Sequence, residues 1–256
     1  MKLLAFDTST ELMQIAVQKG DQVWTHEGTG GALASANLIP AIQALMAQAD
    51  LQFANLDAIV FGRGPGSFTG LRTACSVAQG LAFGAGVKVL PIDTLMAVAE
   101  EARYLAIHAA GASAGSAGMV QPTRICAALD ARMGEMYHAY YYFNSCLRSI
   151  DAGYSLKTPS NMLVLHDFED TLLAGNVQAA YGAQLPVAVQ AAPYVQCLPT
   201  ARALLRLAPA LMAAGGLVDP EDALPLYIRD KVAQTTAERE ALTTAHGASP
   251  PTKVAH

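Results

Sequence analysis

Two aspartates, each placed where a predicted strand ends, are the residues of this sequence with the clearest potential for chemistry. One opens the segment DTST after a short apolar run, and Asp130 opens a similar turn, DAR, in the second half of the chain. A small-molecule phosphotransferase would use such aspartates around ATP and magnesium, with a glycine beside them so that the backbone can approach a phosphate. Neither turn has that glycine, so turn and capping hydrogen bonds are the expected role, with weak nucleotide contact as the alternative. The candidates for that contact are Asp7, Thr8, Ser9 and Thr10.

A glycine-rich loop, GRGPGSFTGLR at residues 62–72, is the second candidate. It lies between a predicted strand and a predicted helix, where backbone amides and the helix dipole can hold an anion. The pattern G-x-x-x-x-G-K-[ST] fails, however, because Gly70 is followed by leucine and arginine. We therefore expect a tight strand-to-helix turn whose glycines permit positive φ and close packing.

Metal and nucleophile chemistry find no support in the spacing of histidines and cysteines. A helical metal site needs two histidines four apart, and none of the six histidines has such a partner. The four cysteines never approach a C-x-x-C spacing. The G-x-S-x-G match GASAG at residues 111–115 lies in a glycine-rich connection, whereas a nucleophile elbow needs a strand-to-helix turn. Metal ligands and catalytic residues are both predicted to be absent. The cysteines, Cys75, Cys126, Cys146 and Cys197, are predicted to be buried thiols.

The charge balance argues against direct binding of nucleic acid. The net charge is −5, the wrong sign for a protein that grips phosphates alone, so any RNA should be held by a partner. The N-terminal apolar run passes directly into DTST, so we expect no signal peptide, and no apolar stretch is long enough to span a membrane. A cytoplasmic protein is the expectation.

The predicted elements that carry these residues begin with a three-stranded meander. Strands are predicted at 2–6, 13–18, 22–26, 57–62 and 88–91, and helices at 38–49 (capped by Asn37), 71–84 and 94–104. The order βββαβαβα is typical of the ribonuclease-H-like unit, which often occurs in pairs. The sequence therefore predicts a two-lobed α/β fold with mixed sheets.

The second half of the chain predicts a smaller lobe. A glycine-rich connection at 111–122 precedes strands at 124–130 and 135–143, whose tyrosines are expected to fill the sheet. Helices are predicted at 163–175 and 200–214, with a last ordered segment at 222–233. The predicted division is 1–108 for the first lobe, 123–220 for the second, 221–239 for a segment that returns to the first lobe, and 240–256 for a mobile tail.

Association is the function that remains. The second helix carries a stripe of small apolar residues that would let another helix approach closely, and the first helix carries a larger apolar stripe beside it. The alternative is that both stripes cover the chain's own sheet, as any such helix must do on one side.

Four segments resemble one known family. They are LLAFDTSTELMQIAV, LDAIVFGRGPGSFTGLRTACSVAQGLA, LDARMGEMY and ALPLYIRDKVAQTTAER, which span residues 2 to about 239. Together they resemble the bacterial TsaB (YeaZ) family, and GRGPGSFTGLR is its most specific part.

The resemblance implies an actin-like (ASKHA) fold and a non-catalytic scaffold or activating role in the complex that makes threonylcarbamoyladenosine in tRNA. The implied partners are TsaD, the catalytic and metal-bearing paralogue, TsaE, an ATPase, and TsaC, a functional associate. A homodimer is implied when the chain is alone, and tRNA is met through the complex. No cofactor of its own is implied, although a nucleotide could lie at the subunit interface.

The implied interface uses the first two helices. It maps onto Leu38, Ile42, Leu45, Leu71, Ala74, Ala78 and Leu81. The rival interpretations are the phosphotransferase of the same fold, built on Asp7 and Asp130, and a metallopeptidase.

Overall fold

Two β-sheets and the helices that cover them form the fold. The computed structural model describes residues 1–112, 124–144, 146–149, 153–162 and 171–229. Within these residues, the predicted two-lobed α/β architecture with two mixed sheets is confirmed.

The first sheet has the strand order β3-β2-β1-β4-β5. Strands β1, β2 and β3 form the predicted antiparallel meander, whereas β4 and β5 run parallel to β1. Alternate residues of β1 face opposite sides of the sheet, and both sides are apolar, so each face needs a covering layer. The strands are β1 (Lys2–Asp7), β2 (Leu12–Lys19), β3 (Gln22–Thr29), β4 (Ala58–Gly64) and β5 (Val89–Asp93).

The second sheet has the order β11-β10-β6-β7-β8, with β9 also paired to β7. The hairpin of β6 and β7 agrees with the prediction, and Tyr137, Tyr140 and Tyr141 are buried in it as sheet filler. The strands are β6 (Arg124–Arg132), β7 (Glu135–Asn144), β8 (Cys146–Ser149), β9 (Ser155–Lys157), β10 (Thr171–Gly175) and β11 (Tyr194–Gln196).

The helices divide between the two faces of the first sheet. Helices α1 and α2 cover one face, and α3 and α6 cover the other. Helix α3 also packs against the second sheet, so one apolar core runs from the first sheet through α3 and α6 into the second. The helices are α1 (Ala34–Gln48), α2 (Phe68–Ala85), α3 (Thr94–Ala112), α4 (Val177–Tyr181), α5 (Val187–Gln190) and α6 (Ala201–Ala213).

Two predictions about single elements were wrong. Helix α1 begins at Ala34, so Asn37 lies inside it and is not its N-cap. The predicted helix at 163–175 ends in strand β10, which is fully buried and pairs in parallel with both β6 and β11. A short apolar run of this kind is ambiguous between strand and helix until its neighbours are known.

The boundary of the second lobe also differs from the prediction. Residues 201–220 were assigned to the second lobe, but α6 packs on β1, β2, β4 and β5 of the first sheet. Val218 further pairs with Val89 of β5. The chain therefore returns to the first lobe at α6, about twenty residues earlier than predicted. Most of the predicted 111–122 connection and all of the predicted 240–256 tail lie outside the described residues.

Two further predictions concern the state of the cysteines and the presence of membrane-spanning helices. Cys75, Cys126 and Cys197 are buried free thiols, as predicted. In the described part of the chain, no helix is both long enough and apolar enough to cross a bilayer.

Candidate functional site

A cavity of about 470 Å3 lies between the two lobes. It opens at the carboxyl ends of the parallel strands β1, β4, β6 and β10, the edge at which open α/β sheets commonly bind ligands. Its lining includes Ser9, Thr10, Ser67, Asp130, Arg132, Asn176 and residues 226–229. The two aspartate turns singled out in the sequence are thus brought to the same cleft.

The first aspartate turn, residues 7–9, is stabilised by hydrogen bonds within the turn and to α2. The Asp7 carboxylate is fully buried and accepts hydrogen bonds from the Ser9 amide (2.8 Å) and the Ser9 hydroxyl (2.6 Å). Burial raises the pKa of the Asp7 carboxyl above its usual value, against the hydrogen bonds from Ser9 and Thr94, which lower it. The Thr8 hydroxyl donates to the Gly70 carbonyl at 2.7 Å. These side chains therefore stabilise the turn.

Three glycines of the glycine-rich loop explain how the turn is closed. A Cβ placed on Gly62 would lie 1.7 Å from Asp7 Oδ2, one on Gly66 would lie 2.6 Å from Ser9 Cβ, and one on Gly70 would lie 1.8 Å from the Thr8 carbonyl oxygen. The loop and the start of α2 thus pack directly on residues 7–9. The expectation that the glycines serve close packing is confirmed.

The four residues predicted for weak nucleotide contact separate into two pairs. Ser9 and Thr10 line the cavity, whereas Asp7 and Thr8 are fully buried beneath it and do not line it. In this structure Asp7 and Thr8 could not touch a ligand in the cleft. This part of the prediction was wrong, because residue types predict a turn but not which of its side chains point inward.

The second turn is braced from several directions. The Asp130 carboxylate accepts from the Arg132 amide at 2.7 Å and from the Tyr181 hydroxyl at 2.7 Å, and the Asn176 amide oxygen accepts from the Asp130 amide at 2.8 Å. The hairpin then turns through Arg132 and Met133, both with positive φ. Asp130 is thus used as a structural acceptor. Its carboxylate also lies 3.6 Å from the Arg132 guanidinium, whose side chain is exposed at the cleft mouth.

A C-terminal segment forms one wall of the cavity. We call residues 223–229 the strap, because they run from α2 in the first lobe to the β6–β7 hairpin in the second. Sequence analysis predicted an ordered segment here but not its contact with the second lobe. In the described residues, no group of three or more His, Cys, Asp or Glu side chains is arranged to hold a metal ion.

The residues predicted for the partner interface are largely inside the monomer. Six of the seven are at most 4 % exposed, and Leu81 is half-buried. Five of the six pack in the core between α1, α2 and the first sheet, and Leu71 lines the interlobe cavity. The six are Leu38, Ile42, Leu45, Leu71, Ala74 and Ala78. Their assignment as interface contacts was wrong, because the apolar stripe of a helix that covers a sheet faces that sheet.

The opposite faces of the same helices are accessible. We call this surface the outer face. On α2 it comprises the exposed Ser76, Gly80 and Phe83 with the half-buried Thr73 and Val77 at its edges, and on α1 it includes Ile39 and Gln43. Phe83 is 80 % exposed and Ile39 is 41 % exposed. A Cβ on Gly80 would meet no atom within 4 Å, so the middle of this helix face is open.

Comparison with known proteins gives the family. The model of the family described as "TsaD: tRNA N6-adenosine threonylcarbamoyltransferase" matches residues 32–235. The tRNA threonylcarbamoyladenosine biosynthesis protein TsaB of Escherichia coli (strain K12) is 30 % identical over 239 residues, 91 % of this chain and 96 % of that protein. The chain belongs to the TsaB family.

Other TsaB relatives and a solved structure agree. The TsaB protein of Haemophilus influenzae is 39 % identical over 138 residues, which cover 54 % of this chain and 52 % of that protein. The structure of YeaZ from Pseudomonas aeruginosa superposes with a TM-score of 0.74 at 33 % identity and covers 89 % of this chain and 99 % of that one. The TsaB fold therefore accounts for both lobes and for the strands at whose ends the cleft lies.

Proposed function

We propose that this chain is a non-catalytic scaffold subunit for threonylcarbamoylation of adenosine in tRNA, and that it pairs with a catalytic TsaD subunit. Membership of the TsaB family supports the process, since relatives along most of the chain carry that name. The match to the TsaD family model supports a paralogous partner of similar fold.

The observation that carries the non-catalytic role is the packing of the glycine-rich loop onto the first aspartate turn. Gly70 leaves 1.8 Å between its potential Cβ and the Thr8 carbonyl oxygen, so the loop and the turn have no gap between them. The Asp7 carboxylate below is committed to Ser9 and is removed from the cleft. No observation supports the phosphotransferase alternative.

The outer face of α1 and α2 is the surface that we assign to TsaD. The family resemblance implied these helices, and the structure identifies which of their side chains a partner could reach. Gly80, flanked by Ser76 and Val77, lets a neighbouring helix approach closely, while Phe83 supplies exposed apolar area. The same surface would serve a homodimer of the isolated chain, so the two assemblies would exclude each other.

Substitution of Gly80 by arginine tests this assignment. Ala78→Arg would be misleading, because Ala78 is fully buried and a charge there would unfold the protein. Gly80→Arg places the same group in open space on the outer face. We expect it to abolish co-elution with TsaD in size-exclusion chromatography and to abolish modification of tRNA in the reconstituted reaction.

Two controls make the result interpretable. Gly80→Ala should bind TsaD as the natural chain does, and Ala213→Arg, at an exposed site on α6, should leave both binding and modification unchanged. Normal complex formation by Gly80→Arg would refute the interface. A chain that modifies tRNA without TsaD would refute the non-catalytic role.

The remaining assembly is proposed on the same basis. Recruitment of TsaE to the heterodimer, functional dependence on TsaC, contact with tRNA through the complex and a nucleotide between subunits are what the family implies. The net charge of −5 supports an indirect contact with tRNA. A cytoplasmic location fits this role, because a complex that modifies tRNA must work in the compartment that contains tRNA.

A further inference from the structure

The strap is anchored to the first lobe at its start. Ala223 is fully buried, and its carbonyl accepts hydrogen bonds from the Cys75 thiol (3.1 Å) and the Gln79 amide (2.9 Å). Further along, the Leu226 amide donates to the Arg63 carbonyl at 2.7 Å. Gly64 makes this approach possible, since a Cβ there would lie 2.6 Å from the Leu226 carbonyl oxygen.

The middle of the strap is held by an aromatic contact at the cleft mouth. The Tyr227 ring packs on Phe68 with centroids 5.2 Å apart, and the Arg72 guanidinium lies 3.8 Å above the Phe68 ring. Arg72 also donates to the Tyr227 hydroxyl at 3.1 Å. These groups are near the surface, so each contact contributes modestly.

The end of the strap is anchored to the second lobe through Arg229. Its guanidinium pairs with the Glu135 carboxylate and donates to the Arg132 carbonyl at 3.3 Å. It thereby also supports the positive-φ turn of the β6–β7 hairpin. Residues 226–229 all line the interlobe cavity, so the strap joins the lobes across the opening.

We propose that residues 223–229 are a releasable strap, which closes the interlobe cavity and detaches as one unit when Arg229 leaves the β6–β7 hairpin. The strap belongs to neither sheet. It touches the apolar cores through Ala223 and Ile228 and is otherwise held by hydrogen bonds, an ion pair and a ring contact near the surface. Its detachment removes one wall of the cavity and uncovers Cys75 on α2. The proposal stands independently of the assignment to TsaD.

The native Cys75 thiol reports on the strap. Cys75 is 5 % exposed beneath Ala223, whereas Cys126 is fully buried in the second lobe, where it makes no described contact with the strap. In a Cys146→Ser background, the protein is treated with N-ethylmaleimide, and the alkylation rate at each cysteine is measured by peptide mass spectrometry. Cys126 then serves as an internal measure of global unfolding.

Substitution of Arg229 by glutamine removes the anchor on the second lobe. Loss of charge-assisted hydrogen bonds should increase the alkylation rate of Cys75 about tenfold, with the Cys126 rate unchanged. Glu135→Gln should give the same pattern, because it removes the other half of the ion pair. Arg202→Gln, at an exposed position of α6, is the matched control and should change neither rate.

Two outcomes would overturn the proposal. If both cysteines react faster to the same degree in Arg229→Gln, the substitution unfolds the chain and the strap is part of the global fold. If neither rate changes, Arg229 and Ala223 are held independently and the segment does not detach as a unit.

Discussion

Replacement of Gly70 by alanine tests the central packing contact of the cleft. Gly70 lies in the first turn of α2, and its carbonyl accepts the buried hydrogen bond from the Thr8 hydroxyl. A Cβ at this position would lie 1.8 Å from the Thr8 carbonyl oxygen and 2.9 Å from the carbonyl carbon. Both are backbone atoms of the turn after β1, so no side-chain rotation can relieve the overlap.

The cost can be worked out from the groups that must separate. Overpacking in a close-packed region costs roughly 1–3 kcal/mol, and the contact at Thr8 places this substitution near the upper end of that range. Lengthening the Thr8 hydrogen bond costs about 1 kcal/mol more. The better helix propensity of alanine returns less than ~1 kcal/mol, since the position is in the first turn. We expect a net loss of about 3 kcal/mol in the free energy of unfolding.

Urea unfolding followed by fluorescence of Trp24, the single tryptophan, measures this loss. Trp24 lies on β3 and packs against the core beneath α1, so it reports on the first lobe. The matched control is Gly80→Ala on the same helix, where no atom lies within 4 Å of the new Cβ. This control should be as stable as the natural chain or more stable, by up to ~1 kcal/mol.

The comparison of the two variants decides the result. If Gly70→Ala unfolds at the same urea concentration as Gly80→Ala, the glycine-rich loop does not press on the aspartate turn. The packing that supports the proposed non-catalytic role would then be absent as well.

Two further predictions concern buried charge. Burial, together with nearby Lys157, lowers the pKa of His138 from 6.5 to about 4 in the folded protein. Between pH 6.5 and pH 4, His138 is therefore protonated in the unfolded chain but neutral in the folded protein. Stability should therefore fall by up to about 3 kcal/mol as the pH drops from 6.5 to 4, and urea titrations of His138→Gln should lack that part of the loss. Glu100, 3 % exposed, accepts hydrogen bonds from Arg206 at 2.8 Å and from Arg103 at 2.7 Å, so Glu100→Ala should cost about 3 kcal/mol in the same assay. The control Asp21→Ala, at an exposed position, should have no measurable effect.

The sequence predicted the first lobe well because its signals are local. A strand that alternates, a turn with glycine and a helix with an apolar stripe each follow from neighbours in the chain, and β1 to α3 appear in the predicted order. Strand β10 was missed because its type depends on β6, which lies more than forty residues away. Helix α6 was predicted correctly, but the residues of α6 alone do not indicate which of the two sheets it covers.

The candidate site shows the same limit. The stripe of Ala74 and Ala78 is real, yet periodicity cannot distinguish a face that meets a partner from a face that meets its own sheet. The outer face carries small and polar residues around Gly80, which give no periodic apolar signal. The sequence shows that Gly62, Gly66 and Gly70 are four residues apart, but it does not show that all three pack on residues 7–9 of the first turn.

Helix α3 has a consequence for how this gene can change. Because its side chains complete the cores of both lobes, a chain divided between residues 112 and 124 would yield one piece with a bare apolar helix face and another with an uncovered sheet. Neither fragment would be a self-sufficient folding module. A chimaera that exchanges one lobe for that of a relative must therefore also preserve the packing of that lobe against α3.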